Sequence, residues 1–385
     1  MYVANTDWAL YNFRKGLIKE LLSRGYEISV VCQAGHYLDK LKDLNVKKVC
    51  VLKHYQKDIN AIKDLKLIKE LHYFYKANRP YIVHHFTIKP VVFGSIAARI
   101  AGVPIIVNTI TGMGYVFTNE DKRNFLLRLI VLLLYKLAAR FTNFFFFQNR
   151  SDRDFFLCKG LASTGKNAIV PGSGINASVF SPDNVNQEVV RKLRRELQIN
   201  EDQKIVLLVS RMLYDKGIEE LVRCACEIRK TMPSVRFLLV GPLAPGNPSR
   251  ITKDTLKQWV KRDRIEYLGK RHEIRELLFL SDIVVLPSYR EGMPKSLLEA
   301  AAMSRAIVTT DAVGCRDVVN HGENGLLIPI KDSRALGDAI LRLLNDDKLR
   351  HKMGLKSRQR TLEEFDEQII INKTVEVYER LLSPQ

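Results

Sequence analysis

The chain has 385 residues, of which 46% are hydrophobic and 27% charged. This balance suits a soluble globular protein of about two domains and excludes collagen-like, disulfide-scaffold and largely disordered chains. The net charge is +19 and is uneven: 26 basic and 12 acidic residues lie in positions 1–180, against 35 and 30 in the rest. A basic N-terminal half either serves solubility alone or attracts phosphate-bearing partners: nucleic acid, an anionic membrane surface or a diphosphate substrate.

In chain order, the first apolar run is Tyr2-Val3-Ala4-Asn5. It is short for a buried strand, so a few residues of the first strand are expected to be missing. Strands are then expected at 26–32, 81–84, 104–109 and 144–148, with helices such as 59–78 and 91–101 between them. The rhythm repeats. Strands are expected at 204–210, 235–241, 265–268, 282–286 and 306–309, and helices at 217–231, 249–262, 294–303 and 335–344. Near-continuous apolar strands alternating with helices imply α/β units whose parallel sheets are covered on both faces. Two such runs imply two doubly wound, Rossmann-like domains in tandem. The Gly, Pro and Ser cluster at 171–182 marks the boundary. The expected division is 1–178, 179–362 and a C-terminal helix at 363–385, whose packing partner is left open, the first domain being one candidate. The six cysteines (32, 50, 158, 224, 226 and 315) are scattered, and no second close pair joins Cys224 and Cys226 at zinc-site spacing. Reduced thiols are expected. The longest uninterrupted apolar run, 129–135, is too short to span a bilayer.

The chemistry concentrates after two strands of the second half. Arg211 ends the strand at 204–210, and Lys216-Gly217 opens the next helix. Ligands of doubly wound sheets sit at the carboxyl ends of strands. Arg supplies a planar fork and Lys a point charge, and the two can converge on one diphosphate, although a solvated loop would also hold two cations. The strand at 282–286 leads into Tyr289-Arg290-Glu291-Gly292-Met293-Pro294-Lys295-Ser296-Leu297-Leu298-Glu299-Ala300. Pro294 fits the first helical position. Gly292 permits close backbone approach, and the helix N-terminus suits phosphate oxygens. Glu291 and Glu299 beside such a site need hydroxyls for partners. Surface charge is the alternative, less comfortable for Glu299 among apolar neighbours.

These residues resemble the retaining nucleotide-sugar glycosyltransferases of family 4. The likeness rests on Arg211 with Lys216, and on Glu291 and Glu299 seven residues apart within "SYREGMPKSLLEAAA". It extends through "GSGINASVFSP", "VGPLAPGNP", "YLGKRHEI" and "DAVGCRDVVNHGENGLLIP". The resemblance implies the GT-B fold, two Rossmann-like domains facing a central cleft. It implies that Arg211 and Lys216 bind the donor diphosphate, that Glu299 takes the ribose hydroxyls, and that Glu291 takes those of the transferred sugar. Arg211, Lys216 and Glu291 are thus the expected catalytic residues. The loop of Gly292, Met293, Pro294, Lys295, Ser296 and Leu297 would offer backbone amides to sugar and phosphate. Gly241, and the stretch from Arg271 to Ile274, would frame the base. The donor is expected to be a UDP-sugar, with no cofactor and no metal ion.

"ANTDWALYNFR", "VHHFTIKPVVFGSIAARIAG" and "NTITGMGYVF" resemble bacterial enzymes that build O-antigen, capsule or protein-linked glycans on a polyprenyl diphosphate. That implies a polyprenyl-diphosphate-linked acceptor, and a protein peripherally attached to the inner face of the cell membrane. The turn Asp7-Trp8-Ala9-Leu10 lacks the glycine pair of many relatives, and no catalytic histidine follows the strand at 104–109. His85, either lining the acceptor site or packed in the core, is joined by Arg14 and Lys89 as acceptor-binding candidates.

The helix within 122–147 carries Arg128, Lys136 and Arg140 within roughly 120° of arc. Two readings stand: a surface helix touching anionic lipid, or a covering helix whose apolar face packs on the sheet. Asp152-Arg153-Asp154 follows Ser151 and reads as a capping box with Ser151 as cap, not a metal site. Gly172-x-Gly174 lacks the rest of a dinucleotide fingerprint, and there is no P-loop. Lys348 to Arg360 reads as a solvated face. With no module for reading nucleic acid, none is expected as a partner. A UDP-sugar 2-epimerase of the same fold is the main rival; it would alter a UDP-sugar without any acceptor.

Overall fold

The computed structural model describes residues 1–55, 60–113, 122–263 and 265–383. Position 59, and positions 114–117 of the stretch 108–117, lie outside the described residues. Two compact units emerge: Met1–Ser173 with Glu367–Gln385, and Gly174–Asp366.

In the first unit, β1 (Tyr2–Thr6), α1 (Asp7–Ser23), β2 (Ser29–Gln33), α2 (Leu38–Lys42), β3 (Lys48–Val51), α3 (Ala61–Asn78) and β4 (Ile82–Phe86) follow in order. Then come α4 (Ser95–Ala101), β5 (Ile105–Ile110), α5 (Lys122–Ala139), β6 (Phe144–Phe147), α6 (Arg150–Cys158) and β7 (Asn167–Ile169). The second unit holds α7 (Gln187–Glu196), β8 (Ile205–Val209), α8 (Ile218–Thr231), β9 (Arg236–Val240), α9 (Lys253–Asp263) and β10 (Glu266–Tyr267). It continues with α10 (Ile274–Leu280), β11 (Ile283–Leu286), α11 (Lys295–Ala302), β12 (Ala306–Thr310), β13 (Gly325–Ile328), α12 (Ser333–Asn345) and α13 (Asp347–Arg360). The last helix, α14 (Glu367–Leu382), belongs to the first unit.

Both sheets are parallel. Their orders are β3-β2-β1-β4-β5-β6-β7 and β10-β9-β8-β11-β12-β13. Each reverses direction once, between β1 and β4 and between β8 and β11, and ligands of such sheets collect beyond the carboxyl ends at that point. The alternation of side chains along a strand explains the wholly apolar β8. Val206 and Leu208 enter one core, under α8 and α12. Ile205 and Leu207 enter the other, under α10 and α11. Each such buried side chain contributes about 1.5–3 kcal/mol.

Several boundaries differ from the expected ones for local reasons. β1 is a five-residue strand because extended backbone continues through Thr6, whose hydroxyl then caps α1 by accepting from Ala9 N at 3.2 Å. The helix expected at 91–101 opens as a π-helical turn, Pro90–Gly94, before α4. The helix expected at 294–303 begins at Lys295, with Pro294 outside it in extended geometry as N-cap, not as first helical residue. The cap of α6 is Asn149, not Ser151. Its Oδ1 accepts from Asp152 N at 2.7 Å, and its Nδ2 donates to the Asp152 carboxylate at 3.0 Å. Another π-helical turn, Thr361–Phe365, precedes α14.

α14 is pinned by polar contacts as well as by Ile370, Ile371 and Val375 in the core. The Tyr378 hydroxyl pairs with Nδ1 of His84 and donates to the Tyr2 hydroxyl at 3.2 Å. Nε2 of His84 meets Thr109 Oγ1 at 2.6 Å. All six cysteines are free thiols.

Candidate active site

β8 and β11 are neighbours in the sheet, and their exits are laced together. After β8 a short 3-10 turn, Tyr214–Lys216, ends at Gly217 with φ +68°. A Cβ there would stand 2.0 Å from the Pro287 carbonyl oxygen, so only glycine lets the two exits touch. The Asp215 carbonyl accepts from Tyr289 N at 2.9 Å and from Ser288 Oγ at 3.1 Å. The Tyr289 hydroxyl donates to the Glu220 carboxylate at 2.7 Å. On the far side the loop after β12 grips Glu291, whose N–H donates to the Val313 carbonyl at 2.9 Å. Gly314, at φ +84°, leaves no room for a Cβ beside the Glu291 carbonyl, 2.6 Å away.

Within this frame Lys216 Nζ and a Glu291 carboxylate oxygen form an ion pair, with side chains only 16% and 14% exposed. Arg211 is exposed at the end of the same strand that leads to Lys216, and among the described residues its guanidinium has no hydrogen-bond or ion-pair partner. Glu299 lies half-buried on α11. Burial pushes its carboxyl up to about 7, with Lys295 opposing. The first turn of α11 has no acidic residue and no side-chain cap. Met293, Lys295 and Ser296 are half-buried, whereas Leu297 is a core side chain. Within this loop Pro294 has no N–H to offer, and that of Leu297 is given to the Pro294 carbonyl at 3.0 Å.

Gly241 sits at φ +142°, where a Cβ would stand 1.8 Å from the Ser210 carbonyl oxygen. The exits of β8 and β9 are thereby brought into contact. Arg271 is held by Glu196 of α7, at 2.8 and 3.1 Å. Ile274 opens α10 and packs against the core beneath α11. Arg211, Lys216, Glu291, the α11 N-terminus and Gly241 thus share one edge of one sheet, while the Arg271 guanidinium is engaged by a carboxylate.

The three acceptor candidates all lie in the first unit, in packed surroundings. Arg14 is 8% exposed, its guanidinium 4.2 Å from the centroid of Phe86. Burial lowers it to about 10, against the raising influence of Tyr378 and Tyr2. His85 is fully buried, with Nε2 2.9 Å from the Tyr75 hydroxyl and Nδ1 2.9 Å from Asn108 Oδ1. Of its two readings this geometry is the packing one, since neither ring nitrogen faces open space. Lys89 is paired with Asp64 at 2.6 Å, both about one-tenth exposed. Sequence reasoning missed Asp215, Ser288, Tyr289, Glu220, Val313 and Gly314. Their bonds join positions distant in the chain, Asp215 to Ser288 and Tyr289, Glu220 to Tyr289, and Val313 to Glu291, and the one signal was the matching stretch at 311–329.

Two sequence families match: "Glycosyl transferase 4-like" over residues 1–149 and "Glycosyl transferases group 1" over 189–360. The chain is 32% identical over 381 residues, 99% of its length and 98% of its relative's, to the Campylobacter jejuni N,N'-diacetylbacillosaminyl-diphospho-undecaprenol alpha-1,3-N-acetylgalactosaminyltransferase. It is 26% identical over 360 residues, 92% of its length and 89% of its relative's, to the Escherichia coli UDP-Gal:alpha-D-GlcNAc-diphosphoundecaprenol alpha-1,3-galactosyltransferase. Among solved structures, Anabaena Alr3699/HepE in complex with UDP superposes with a TM-score of 0.80 at 19% identity, covering 98% of this chain and 99% of that one.

Proposed function

Because the chain belongs to the GT-B glycosyltransferases of the type that builds bacterial lipid-linked glycans, we propose that it transfers an N-acetylhexosamine from a UDP-sugar to a polyprenyl-diphosphate-linked saccharide, with retention of configuration. UDP-galactose or another hexose donor is the second choice, favoured by the likeness to the E. coli galactosyltransferase. The observation that carries the reading is the Lys216–Glu291 pair at the β8–β11 exit, with Arg211 and the α11 N-terminus on the same edge.

In the proposed step the bond between the anomeric carbon and the β-phosphate oxygen breaks, and UDP leaves with the electron pair. The acceptor hydroxyl oxygen bonds to that carbon from the same face and passes its proton to the departing β-phosphate oxygen. Arg211 and Lys216 stabilise the charge building on the diphosphate, and one such positioned group is worth about 3–4 kcal/mol. When the diphosphate engages Lys216, the Glu291 carboxylate is released to hold the sugar hydroxyls. Glu299 accepts from the ribose hydroxyls. No cofactor or metal ion takes part.

The acceptor's polyprenyl tail keeps it in a membrane, so the protein works peripherally at the anionic inner face of the cell membrane. No described helix is long and apolar enough to cross it. The test is a panel of UDP-sugars incubated with an undecaprenyl-diphosphate saccharide in EDTA, with products resolved by mass and linkage. Addition of one N-acetylhexosamine with release of UDP supports the proposal. Transfer abolished by the chelator, or a sugar altered with no acceptor present, contradicts it.

A further inference from the structure

The outward face of α5 has an unusual composition. Phe125, Leu129, Leu133 and Leu137, spaced four apart, are 70, 47, 60 and 38% exposed, and Ile130 is 43% exposed. Side chains at that spacing stack along one face of a helix. The opposite face is already satisfied: Val131, Tyr135 and Ala138 are buried, and Tyr135 meets Phe156 edge-on at 5.1 Å. The apolar stripe is therefore surplus to the core. The packing reading of this helix holds for its buried face, which shares a core with Phe145 and Phe147 of β6, while the outward face carries apolar side chains the core does not use.

Lys136 and Arg140 are exposed seven positions after Leu129 and Leu133, hence on the same face. From Lys122 to Arg140 there is no acidic residue and there are five basic ones. α4 touches both α5 and α3. On those neighbours Ile100 of α4 and Ile62, Leu65 and Tyr73 of α3 are also exposed. Single exposed apolar residues are ordinary, whereas a continuous set marks an interaction surface. Apolar bulk interspersed with cations and free of anions fits the boundary between anionic headgroups and acyl chains.

We propose that the outward face of α5 is the membrane-docking surface of this protein, its leucines and Phe125 inserted among acyl chains and Lys136 and Arg140 at lipid phosphates. The proposal rests on the lipid-linked acceptor reading, but its test needs no sugar transfer. Purified full-length protein is mixed with vesicles of 70% phosphatidylcholine and 30% phosphatidylglycerol, and the bound fraction is read by flotation. Leu129→Gln with Leu133→Gln lowers vesicle affinity about tenfold or more, and Lys136→Glu with Arg140→Glu does the same with a weakened salt dependence. Leu133→Trp, which keeps the apolar bulk, shows a blue-shifted emission on vesicle addition. The unfolding midpoint of the N-terminal unit, followed in parallel by circular dichroism, reports that the variants are folded. Wild-type vesicle affinity in both double variants overturns the proposal. So does an unshifted Leu133→Trp emission, or a wild-type dimer that the leucine variant dissolves, which would make the face a contact between copies. Vesicle binding through α5 with no sugar transfer from any donor leaves this inference standing and removes the proposed reaction.

Discussion

Burial holds the Glu299 carboxyl near neutrality, at about 7, against the lowering influence of Lys295. An unfolded glutamate ionises near 4.5. Between those values the folded state keeps a proton that the unfolded state has lost, so this residue's contribution to stability falls as pH rises from 4.5 towards 7. Glu299→Gln should therefore stabilise the ligand-free protein by roughly 1–3 kcal/mol at pH 8, measured by chemical denaturation. The same change should weaken UDP binding by calorimetry, because an amide accepts ribose hydroxyls less well than a carboxylate. Glu291 behaves differently. With Glu291→Gln the Lys216 ammonium loses its carboxylate, so UDP should bind at least as tightly as to the wild type while kcat falls about a hundredfold. Lys216, Glu291 and Glu299 were legible as residue types at known spacing. Their electrostatics were not, because the Lys216–Glu291 pair joins positions 75 apart.

At the level of strands and loops, the exits of β8, β9 and β11 are shaped by glycines. Gly217→Ala sets a methyl 2.0 Å from the Pro287 carbonyl oxygen and must part the two loops that carry Lys216 and Glu291. It should lower turnover more than Gly246→Ala, whose position has open space around it, with Tm of both variants read alongside. β4 carries a second sensitivity. Burial lowers His84 well below the usual imidazole range and takes His85 to about 4. Both bind protons more readily when unfolded, so their contribution to stability is present above pH 6.5 and is lost as pH falls towards 4, about 3 kcal/mol for His85 alone. Acid unfolding of the N-terminal unit should begin in that window, and His85→Asn should shift its midpoint to lower pH. The long apolar strands were readable from their patterns. β3, β7 and β13 were not: they are three or four residues long, and β3 and β7 begin with polar residues.

Over the whole molecule the two α/β units repeat one topology, and the chain returns to the first through α14. The return is specified by contacts no sequence window contains: Tyr378 meets His84 across 294 positions and Tyr2 across 376. Tyr378→Phe removes the hydroxyl and leaves two buried polar groups unpaired, which should cost about 1–3 kcal/mol in denaturant unfolding of the N-terminal unit. UDP binding by the C-terminal unit should be unaffected. The two-unit α/β fold was legible because alternation and apolar strands are local properties. The outward apolar stripe of α5 was not, because periodicity alone does not say which of two apolar faces meets the sheet.

The central claim is that fixed positive charge at the β8–β11 exit lets the nucleoside diphosphate depart. Its most direct test is kcat for sugar transfer by Arg211→Ala with saturating donor and acceptor. The account predicts a loss of about 100- to 1000-fold with unfolding behaviour unchanged. A rate within about threefold of wild type would contradict it, since a group worth that little is not holding the leaving charge.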